Sequence, residues 1–369
     1  MVKKVLVYGI TANVGGVETC LINYCRNVDP SKIQFDFLLP HGITAYNDLI
    51  EAMGGKFFFI AQTRIKNIFA HPREVTRFFR KHASEYDAVW YNHGVLGFMS
   101  IPIQAKRFGI KKIIIHSHVS SVVAKTLPLL YRILHRLNRN RVRDFGTDFW
   151  ACSKQAAEHF YPPHIVDKYT YQIIPNAIDV DKFCFQGVVR SQLRDEFQVN
   201  DNYVVLHVGR FSVEKNQSFL LDVFRQLLHR KPNAVLWLVG DGSYRAAIEK
   251  KAYDLGLLNS ILFLGNRNDV HDLMQAADLF VCPSLHEGFG MVIIEAQAAG
   301  LPCVISDVIP MEVDITNLIN RVSLDVAPID WATKISEIEI NTARDDFAQQ
   351  VRRSGYDIKE QAKVIQNLF

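Results

Sequence analysis

The sequence of 369 residues lacks any uncharged apolar run of about 18 residues, the length that an α-helix needs to cross a bilayer. It also lacks low-complexity tracts. Its six cysteines form no C-x-x-C pair and no other metal-ligand spacing, which argues against a disulfide framework and against a zinc site. We therefore expect a cytoplasmic protein with reduced thiols and no structural metal. The apolar fraction of 49% and the charged fraction of 22% are those of a globular chain, and the length favours two domains.

Positive charge is concentrated in the first half of the chain. Residues 1–180 hold 23 Lys and Arg against 13 Asp and Glu, whereas the remaining 189 residues hold 19 against 25. Two basic segments, Arg64 to Lys81 and Lys125 to Arg143, carry the excess. The second interleaves arginines with leucines and isoleucines and predicts a basic amphipathic helix, which suits either an anionic membrane surface or a solvated helix face. No recognition motif accompanies the charge, so nucleic acid is not expected as a partner.

Short apolar runs alternate with longer helical patterns, which predicts parallel sheets built from βαβ units. The predicted strands of the first half are Lys4–Tyr8, Phe35–Leu39, Phe57–Ile60, Ala88–Tyr91, Lys112–His116, Asp148–Ala151 and Tyr171–Ile174. Those of the second half are Val204–Val208, Val235–Val239, Ile261–Phe263, Leu279–Cys282 and Cys303–Ser306. Pro175 and Asn176 predict a turn between the two sets. The expected fold is α/β, with two Rossmann-like domains at 1–180 and 181–343 facing a central cleft, followed by a helical segment at 344–369.

The most informative motif runs from Ser284 to Gly300 and follows a predicted strand. Gly288 and Gly290 leave the backbone bare where a helix is expected to begin, near Met291. Free N–H groups and the positive dipole end at such a helix start can hold a phosphate.

Two carboxylates belong to the same motif. Glu295 is expected about one turn inside the helix among apolar residues, where it needs hydrogen-bond donors such as the two hydroxyls of a ribose. Glu287, in the preceding loop, is free to bind sugar hydroxyls. The alternative is an ordinary helix start, whose dipole favours acidic residues without any ligand.

A second motif, Gly209-Arg-Phe-Ser-Val-Glu-Lys-Asn216, follows the first predicted strand of the second half. Ligands in open α/β sheets bind beyond the carboxyl ends of the strands, and Arg210 and Lys215 are expected at such an end. A guanidinium fork and an ammonium group there can neutralise a diphosphate without a metal. Isolated surface cations on a loop are the alternative.

The other strand ends give weaker signals. Gly240-Asp-Gly242 has no dinucleotide or Walker spacing and is best explained as a structural turn. The exposed backbone after Gly265 could read the edge of a nucleobase. In the first half, Gly15-Gly16 before a helix allows close approach of a substrate, although a plain tight turn explains it equally well. His118 ends another strand and is the preferred substrate contact there, ahead of His93.

Together and in this order, these motifs resemble those of the retaining glycosyltransferases of sequence family four, which have the GT-B fold. The resemblance covers most of the chain and is strongest over 204–307, while the first half matches through Gly15-Gly-Val-Glu18. Bacterial capsule, exopolysaccharide and lipopolysaccharide transferases are the most similar in character. One departure is Asn216, which stands where glycine commonly follows the lysine.

The resemblance implies a first domain that binds the acceptor, a second domain that binds the donor, and a last helix that returns to the first domain. It implies a catalytic set consisting of Arg210, Lys215, Glu287 and His118. It also implies a donor-binding set consisting of Gly16, Gly209, Arg210, Lys215, Asn266, Arg267, Glu287, Gly288, Phe289, Gly290, Met291, Val292 and Glu295.

The sequence thus predicts transfer of a sugar from a nucleoside-diphosphate sugar, a UDP-sugar by preference, to a lipid-linked saccharide in cell-surface polysaccharide biosynthesis. Retention of the anomeric configuration is implied by the resemblance, and no cofactor or metal is expected. The predicted location is cytoplasmic, with peripheral association at the inner face of the cell membrane. The alternatives are a nucleotide-sugar epimerase or hydrolase on the same fold and a non-catalytic partner that binds sugar nucleotides.

Overall fold

The computed structural model describes residues 2–11, 15–40, 42, 44–60, 70–118, 129–168, 170–340 and 343–369. Two compact units make up the chain: the first is Met1–Ala177 with Ile358–Phe369, and the second is Ile178–Asp357. Residues 344–369, predicted from the sequence as one helical segment, are therefore divided between the two units. Acceptor and donor binding by the two units stay predictions.

The first unit contains a seven-stranded sheet in the order β3-β2-β1-β4-β5-β6-β7, with every pair parallel. Its strands are β1 (Lys3–Tyr8), β2 (Ile33–Leu39), β3 (Phe57–Phe59), β4 (Ala88–Asn92), β5 (Lys112–Ser117), β6 (Asp148–Ala151) and β7 (Gln172–Ile173). Its helices are α1 (Gly16–Asn27), α2 (Asn47–Ala52), α3 (Ala70–His82), α4 (Ser100–Arg107), α5 (Leu129–Arg139), α6 (Val142–Phe145), α7 (Lys154–Phe160) and α8 (Pro163–Val166), with a 3₁₀ turn at Ala83–Glu85.

The second unit contains a six-stranded parallel sheet in the order β10-β9-β8-β11-β12-β13. Its strands are β8 (Tyr203–Val208), β9 (Ala234–Val239), β10 (Ile261–Gly265), β11 (Leu279–Cys282), β12 (Cys303–Ser306) and β13 (Ile319–Val322). Its helices are α9 (Val180–Phe183), α10 (Gly187–Glu196), α11 (Gln217–Leu228), α12 (Arg245–Asp254), α13 (Val270–Ala276), α14 (Met291–Ala298), α15 (Pro328–Glu337) and α16 (Phe347–Val351). The 3₁₀ turns are Val213–Lys215, Leu258–Ser260 and Met311–Val313, and a π-helical turn spans Arg352–Tyr356.

The last helix, α17 (Ile358–Leu368), belongs to the first unit and packs on α1. The ring of Phe369 contacts the rings of Phe35, Trp90 and Trp150 at centroid distances of 5.9, 5.8 and 5.4 Å. The end of the chain thus completes the aromatic core beneath one face of the first sheet.

The strands are apolar because both faces of each parallel sheet are covered by helices. All six residues of β9, Ala234 to Val239, are buried, which explains why the run reads as continuously hydrophobic rather than alternating. In each sheet the strand order reverses beside the first strand of the unit, between β1 and β4 and between β8 and β11. Ligand crevices form at such reversals in doubly wound folds.

The α/β fold of two Rossmann-like domains is confirmed. All twelve predicted strands exist. The sequence missed β13, whose residues Ile-Asn-Arg-Val are only half-buried at the sheet edge. The six cysteines are free, and all but Cys184 are buried. Among the described residues no helix is both long and apolar enough to span a membrane.

Candidate functional site

Lys215 and Glu287, which lie 72 positions apart in sequence, form an ion pair in the second unit. The loop between β8 and α11 carries Lys215 at the end of a 3₁₀ turn, and the loop after β11 carries Glu287. Because β8 and β11 are neighbours in the sheet, the Lys215 Nζ atom comes within 2.5 Å of Glu287 Oε1. Gly209 gives this lysine room, since a Cβ atom there would lie 3.2 Å from Lys215 Cδ.

The pair is partly shielded from water and is held by a third group. The side chains of Lys215 and Glu287 are 21% and 9% exposed. Burial is the largest influence and disfavours the charged ammonium, but the charge and hydrogen bond of Glu287 together with the nearby Cys282 raise the pKa of Lys215 above its usual value. The Ser284 hydroxyl donates to the same Glu287 Oε1 at 2.8 Å. Lys215 is therefore a fixed cation at the carboxyl end of the sheet.

The start of α14 lies directly after this pair. Gly290 precedes the helix with a φ of 92°, a left-handed conformation that favours glycine, and Gly288 is exposed with nothing within 4 Å of an added Cβ atom. The N–H groups of the first helical turn have no intrahelical acceptor. Among the predicted contacts, Phe289 and Gly290 are buried, while Met291 and Val292 are half-buried.

Glu295 is the fifth residue of α14 and is partly buried. Within the described part of the chain, its carboxylate makes no hydrogen bond and no ion pair. Burial raises the pKa of Glu295 to about 7. A carboxyl group in this condition accepts hydrogen bonds readily from a hydroxyl-bearing ligand.

The Arg210 side chain is exposed, whereas its backbone carbonyl is held by a hydrogen bond. The side-chain amide of Gln217 donates to the Arg210 carbonyl oxygen at 2.9 Å and contacts His207 Nε2 at 3.3 Å. His207, fully buried in β8, bonds through Nδ1 to the Val281 carbonyl at 2.9 Å. A carbonyl only accepts, so Nδ1 carries the proton and Nε2 accepts from Gln217. Burial lowers the pKa of His207 to about 4, which keeps the imidazole neutral.

The neighbouring loops pack tightly on this one. Gly240, with a φ of 123°, approaches so closely that an added Cβ atom would lie 2.2 Å from the Gly209 carbonyl oxygen. This contact supports the interpretation of Gly240-Asp-Gly242 as a structural turn. After β10, Asn266 is exposed, and the Arg267 guanidinium binds Asp269 at 2.7 and 2.5 Å. A base contact in this loop would therefore come from its backbone or from Asn266.

The two predicted residues of the first unit lie at the ends of strands β1 and β5. Gly16 is the exposed first residue of α1. His118 directly follows β5 and is buried, its Nε2 lies 3.0 Å from Asn92 Oδ1, and its ring centre is 4.0 Å from that of His116. Burial lowers the pKa of His118 to about 4, although a hydrogen bond with Asn176 acts in the opposite direction and raises it. The ring is thus a neutral hydrogen-bonding group, and its catalytic role stays a prediction.

Sequence reasoning missed His207, Gln217 and Ser284 as parts of the site. The first two look like ordinary members of an apolar strand and an amphipathic helix, and only three-dimensional contacts reveal what they hold. Among the described residues, no group of three or more His, Cys, Asp or Glu side chains is arranged to bind a metal. Residues Arg64, Lys66 and Lys125 of the basic segments lie outside the described residues.

Comparison with known proteins shows which family the chain resembles in sequence. A family model described as glycosyl transferases group 1 matches residues 189–355. A protein of Bacillus subtilis (strain 168), named as glycosyltransferase EpsF, is 30% identical over 380 aligned residues, covering 100% of this chain and 96% of its own. The UDP-Gal:alpha-D-GlcNAc-diphosphoundecaprenol alpha-1,3-galactosyltransferase of Escherichia coli is 32% identical over 148 residues, 39% of this chain and 38% of its own.

Solved structures agree in fold. Anabaena Alr3699/HepE, in complex with UDP and glucose, has a TM-score of 0.79 at 22% identity, with 99% of each chain covered. WaaG, a glycosyltransferase involved in lipopolysaccharide biosynthesis, has a TM-score of 0.71 at 18% identity, again with 99% of each chain covered. The chain belongs to the group 1 glycosyltransferases and has the GT-B fold. The protein is a glycosyltransferase.

Proposed function

We propose that the protein transfers a sugar from a UDP-sugar to a lipid-linked saccharide in bacterial cell-surface polysaccharide assembly, with retention of the anomeric configuration. The observation that carries this proposal is the fixed Lys215–Glu287 pair beside the bare start of α14. The names of two relatives support a lipid-linked acceptor: one acts on UDP-Gal and a diphosphoundecaprenol-linked acceptor, and another takes part in lipopolysaccharide core biosynthesis. Other relatives are named as GDP-mannose-dependent, so the choice of UDP draws on the first of these names and on the structural neighbour solved with UDP and glucose.

Each part of the site has a proposed role. Arg210 and Lys215 bind the donor diphosphate, assisted by the first-turn amides of α14. The ribose hydroxyls donate to Glu295, which lacks another partner in the described residues. Glu287 accepts from hydroxyls of the transferred sugar through the oxygen that Lys215 and Ser284 leave free. The backbone after Gly265 contacts the base.

Catalysis on this proposal rests on charge. As the glycosidic bond to the diphosphate breaks, negative charge grows on the leaving oxygens, and the cations Arg210 and Lys215 stabilise it more in the transition state than in the ground state. Lys215 needs little reorganisation for this because Glu287, itself held by Ser284, already keeps it in place.

The lipid-linked part of the proposal draws on helix α5. Its inward face is polar: His135 Nδ1 accepts from the Leu96 amide at 3.1 Å, and Asn138 donates to the carbonyls of Leu96 and Gly97. Its outward face carries what we call the outer stripe of α5, which consists of Leu129, Arg132, Ile133, Arg136 and Leu137. Leu129, Ile133 and Leu137 are 68%, 48% and 60% exposed.

An outward face that combines leucines with arginines and has no acidic residue suits an anionic lipid surface better than water. We infer that the outer stripe of α5 holds the enzyme at the membrane that carries its acceptor.

A donor panel tests the main proposal. UDP-glucose, UDP-galactose, UDP-N-acetylglucosamine and GDP-mannose are each added to the wild-type protein and to Arg210→Ala while thermal unfolding is followed. We expect at least one UDP-sugar to raise the Tm of the wild type, because a ligand that binds only the native state stabilises it by mass action. The shift should shrink in Arg210→Ala and stay intact in Arg225→Ala, an exposed control on α11. A panel in which only GDP-mannose binds would refute the UDP assignment.

A further inference from the structure

A cavity in the first unit is not used by the proposed donor site. It lies at the carboxyl ends of β1 and β4 and is bounded by the starts of α3 and α4 and by α5. Its lining includes Tyr8, Tyr91, His93, His71, Ser100 and Tyr131. It offers about 20 Å³ to the centres of water-sized molecules, roughly the room of one or two waters.

Three rings form one wall of this cavity. Tyr8 and Tyr91 stack with ring centres 5.2 Å apart and planes 6° apart. His93 continues the stack at 5.7 Å from Tyr91 and 6.4 Å from Tyr8. The stack fixes the direction in which the two phenols point, so their hydroxyl groups are pre-organised.

The phenol hydroxyls of Tyr8 and Tyr91 are short of partners. Both residues are more than nine-tenths buried, with exposed fractions of 7% and 2%, and neither hydroxyl is among the fully enclosed side-chain atoms that lack a partner. Neither hydroxyl has a hydrogen bond to a described side chain or backbone group, and both residues line the cavity, so the hydroxyls keep access to it. A hydroxyl with access to a cavity bonds to whatever polar group enters it, so the pair forms a site prepared for a hydrogen-bonding ligand. A sugar hydroxyl suits this pair because it can accept from one phenol and donate to the other.

The described lining of the cavity is electrically neutral. None of the described residues that line it is Lys, Arg, Asp or Glu. Burial lowers the pKa of His93 to about 4 and raises that of Tyr8 to about 12, so both stay uncharged near neutrality. The ring of His71, whose pKa burial also lowers, lies 3.2 Å from the Ser100 hydroxyl. A phosphate or carboxylate would lose its hydration here without meeting a counter-charge from the described lining.

We propose that this cavity binds one uncharged, hydroxyl-bearing substituent of the acceptor saccharide, held by the phenols of Tyr8 and Tyr91. The assignment to the acceptor rests on the proposed function. Tyr131 lies on α5, the helix that carries the outer stripe, so a saccharide on a membrane lipid would reach the cavity from the side of the lipid surface. The site would then select acceptors by a neutral hydroxyl at one ring position.

The test is a titration of the full chain labelled with ¹³C at the Cζ atoms of tyrosine. The probes are the methyl glycosides of glucose, galactose and N-acetylglucosamine, with glucuronate as an anionic match. We expect at least one neutral glycoside to move the Tyr8 and Tyr91 resonances with saturation. The Tyr203 resonance, from an equally buried phenol of the second unit without a hydrogen-bond partner among the described residues, should not move. If no neutral glycoside moves the two resonances, or if glucuronate moves them as strongly, the proposal is wrong.

Variants sharpen the result. Tyr91→Phe and Tyr8→Phe keep the rings and remove the hydroxyls, and each should weaken glycoside binding about threefold to tenfold, the worth of one neutral hydrogen bond. Tyr203→Phe should leave it unchanged, and an equal loss in Tyr203→Phe would contradict the assignment. The Tm shift with UDP-sugars, measured on the same samples, reports the donor site separately. If no UDP-sugar shifts the Tm of the wild type while glycosides still bind, the proposed function is rejected and the proposal for the cavity is not.

Discussion

If Glu295 binds the donor ribose as proposed, its ionisation reports directly on donor binding. Its folded-state pKa of about 7 exceeds the usual value near 4.3, so between these values the folded protein holds a proton that the unfolded chain has lost. This group therefore lowers the free energy of unfolding as pH rises through that range, when no ligand is bound. Hydroxyl donors from a ribose favour the carboxylate, and binding should reverse part of that cost.

We expect the affinity for UDP-glucose to rise as pH increases through 7, with release of about half a proton at pH 7. UDP-glucose is the right probe because its diphosphate does not titrate near neutrality. Calorimetry in buffers of different ionisation enthalpy measures the proton count. Glu295→Gln is the control and should bind with no proton release. Equal release in both proteins would exclude contact of Glu295 with the ribose.

Gln217 is a positioning residue for the loop that carries Arg210. Gln217→Met keeps the length of the side chain but removes both donors, so the Arg210 carbonyl loses its support. We expect about tenfold weaker binding of UDP and also a lower Tm, because roughly two neutral hydrogen bonds of the buried Gln217 are lost in the free protein as well. Gln226→Met on the same helix is the matched control. If both variants bind UDP equally well, the loop does not depend on Gln217.

The sequence identified the individual cations and carboxylates but not their pairing. Arg210, Lys215 and Glu287 follow predicted strands, and the rule that ligands bind at strand ends was enough to select them. The Lys215–Glu287 contact depends on β8 and β11 being neighbours, which strand order decides and local sequence does not. For the same reason His207 and Gln217 carry no sequence signature.

At the scale of elements, the outer stripe of α5 has the clearest experimental consequence. Arg132→Glu with Arg136→Glu should abolish sedimentation with phosphatidylglycerol vesicles, because each cation near an anionic surface contributes about 1 kcal/mol. Arg139 is left out, since its guanidinium binds the Tyr161 carbonyl. Arg230→Glu, on the second unit, is the control. Sedimentation of the double variant at the wild-type level would reject a membrane role for α5.

Asp278 joins helix α10 to the start of β11. Its buried carboxylate accepts from Arg190 at 2.5 Å, Arg194 at 3.1 Å and the Val204 amide at 2.8 Å. Asp278→Asn leaves two guanidinium groups without a counter-charge, and we expect it to lower the free energy of unfolding by about 3–5 kcal/mol in urea.

The matched control is Asp254→Asn. Asp254 pairs with Lys250 at 2.8 Å on the surface of α12, where such a pair contributes less than about 1 kcal/mol. Similar losses in Asp278→Asn and Asp254→Asn would mean that the buried network is not what fixes α10.

Elements were easiest to predict where burial is complete. Apolar runs such as those of β9 and β11 have buried residues throughout, so composition alone marks them. The edge strand β13 mixes Ile, Asn, Arg and Val, and only its pairing with β12 makes it a strand. For α5 the sequence predicted an amphipathic helix from the periodicity of its leucines, but it did not predict that the leucines would lie on the outward face.

On the scale of the whole molecule, the first unit depends on the end of the chain. Phe369→Ala removes the ring that packs on Phe35, Trp90 and Trp150, and we expect a loss of about 3 kcal/mol in the stability of the first unit. In scanning calorimetry the transition that responds to UDP should keep its midpoint while the other moves down. A drop in both would show that the two units unfold together.

The chain passes from one unit to the other twice, at 177/178 and at 357/358, and the residues just inside the second unit are joined. Ile178 and Asp357 form a parallel bridge, and the Ile178 amide donates to the Tyr356 carbonyl at 2.9 Å. The second unit is thus inserted into the sequence of the first, and its first and last residues lie side by side. Exchange of donor preference among relatives should therefore succeed when 178–357 is transplanted whole through two junctions. A single crossover near residue 178 would leave the recipient with a foreign closing helix.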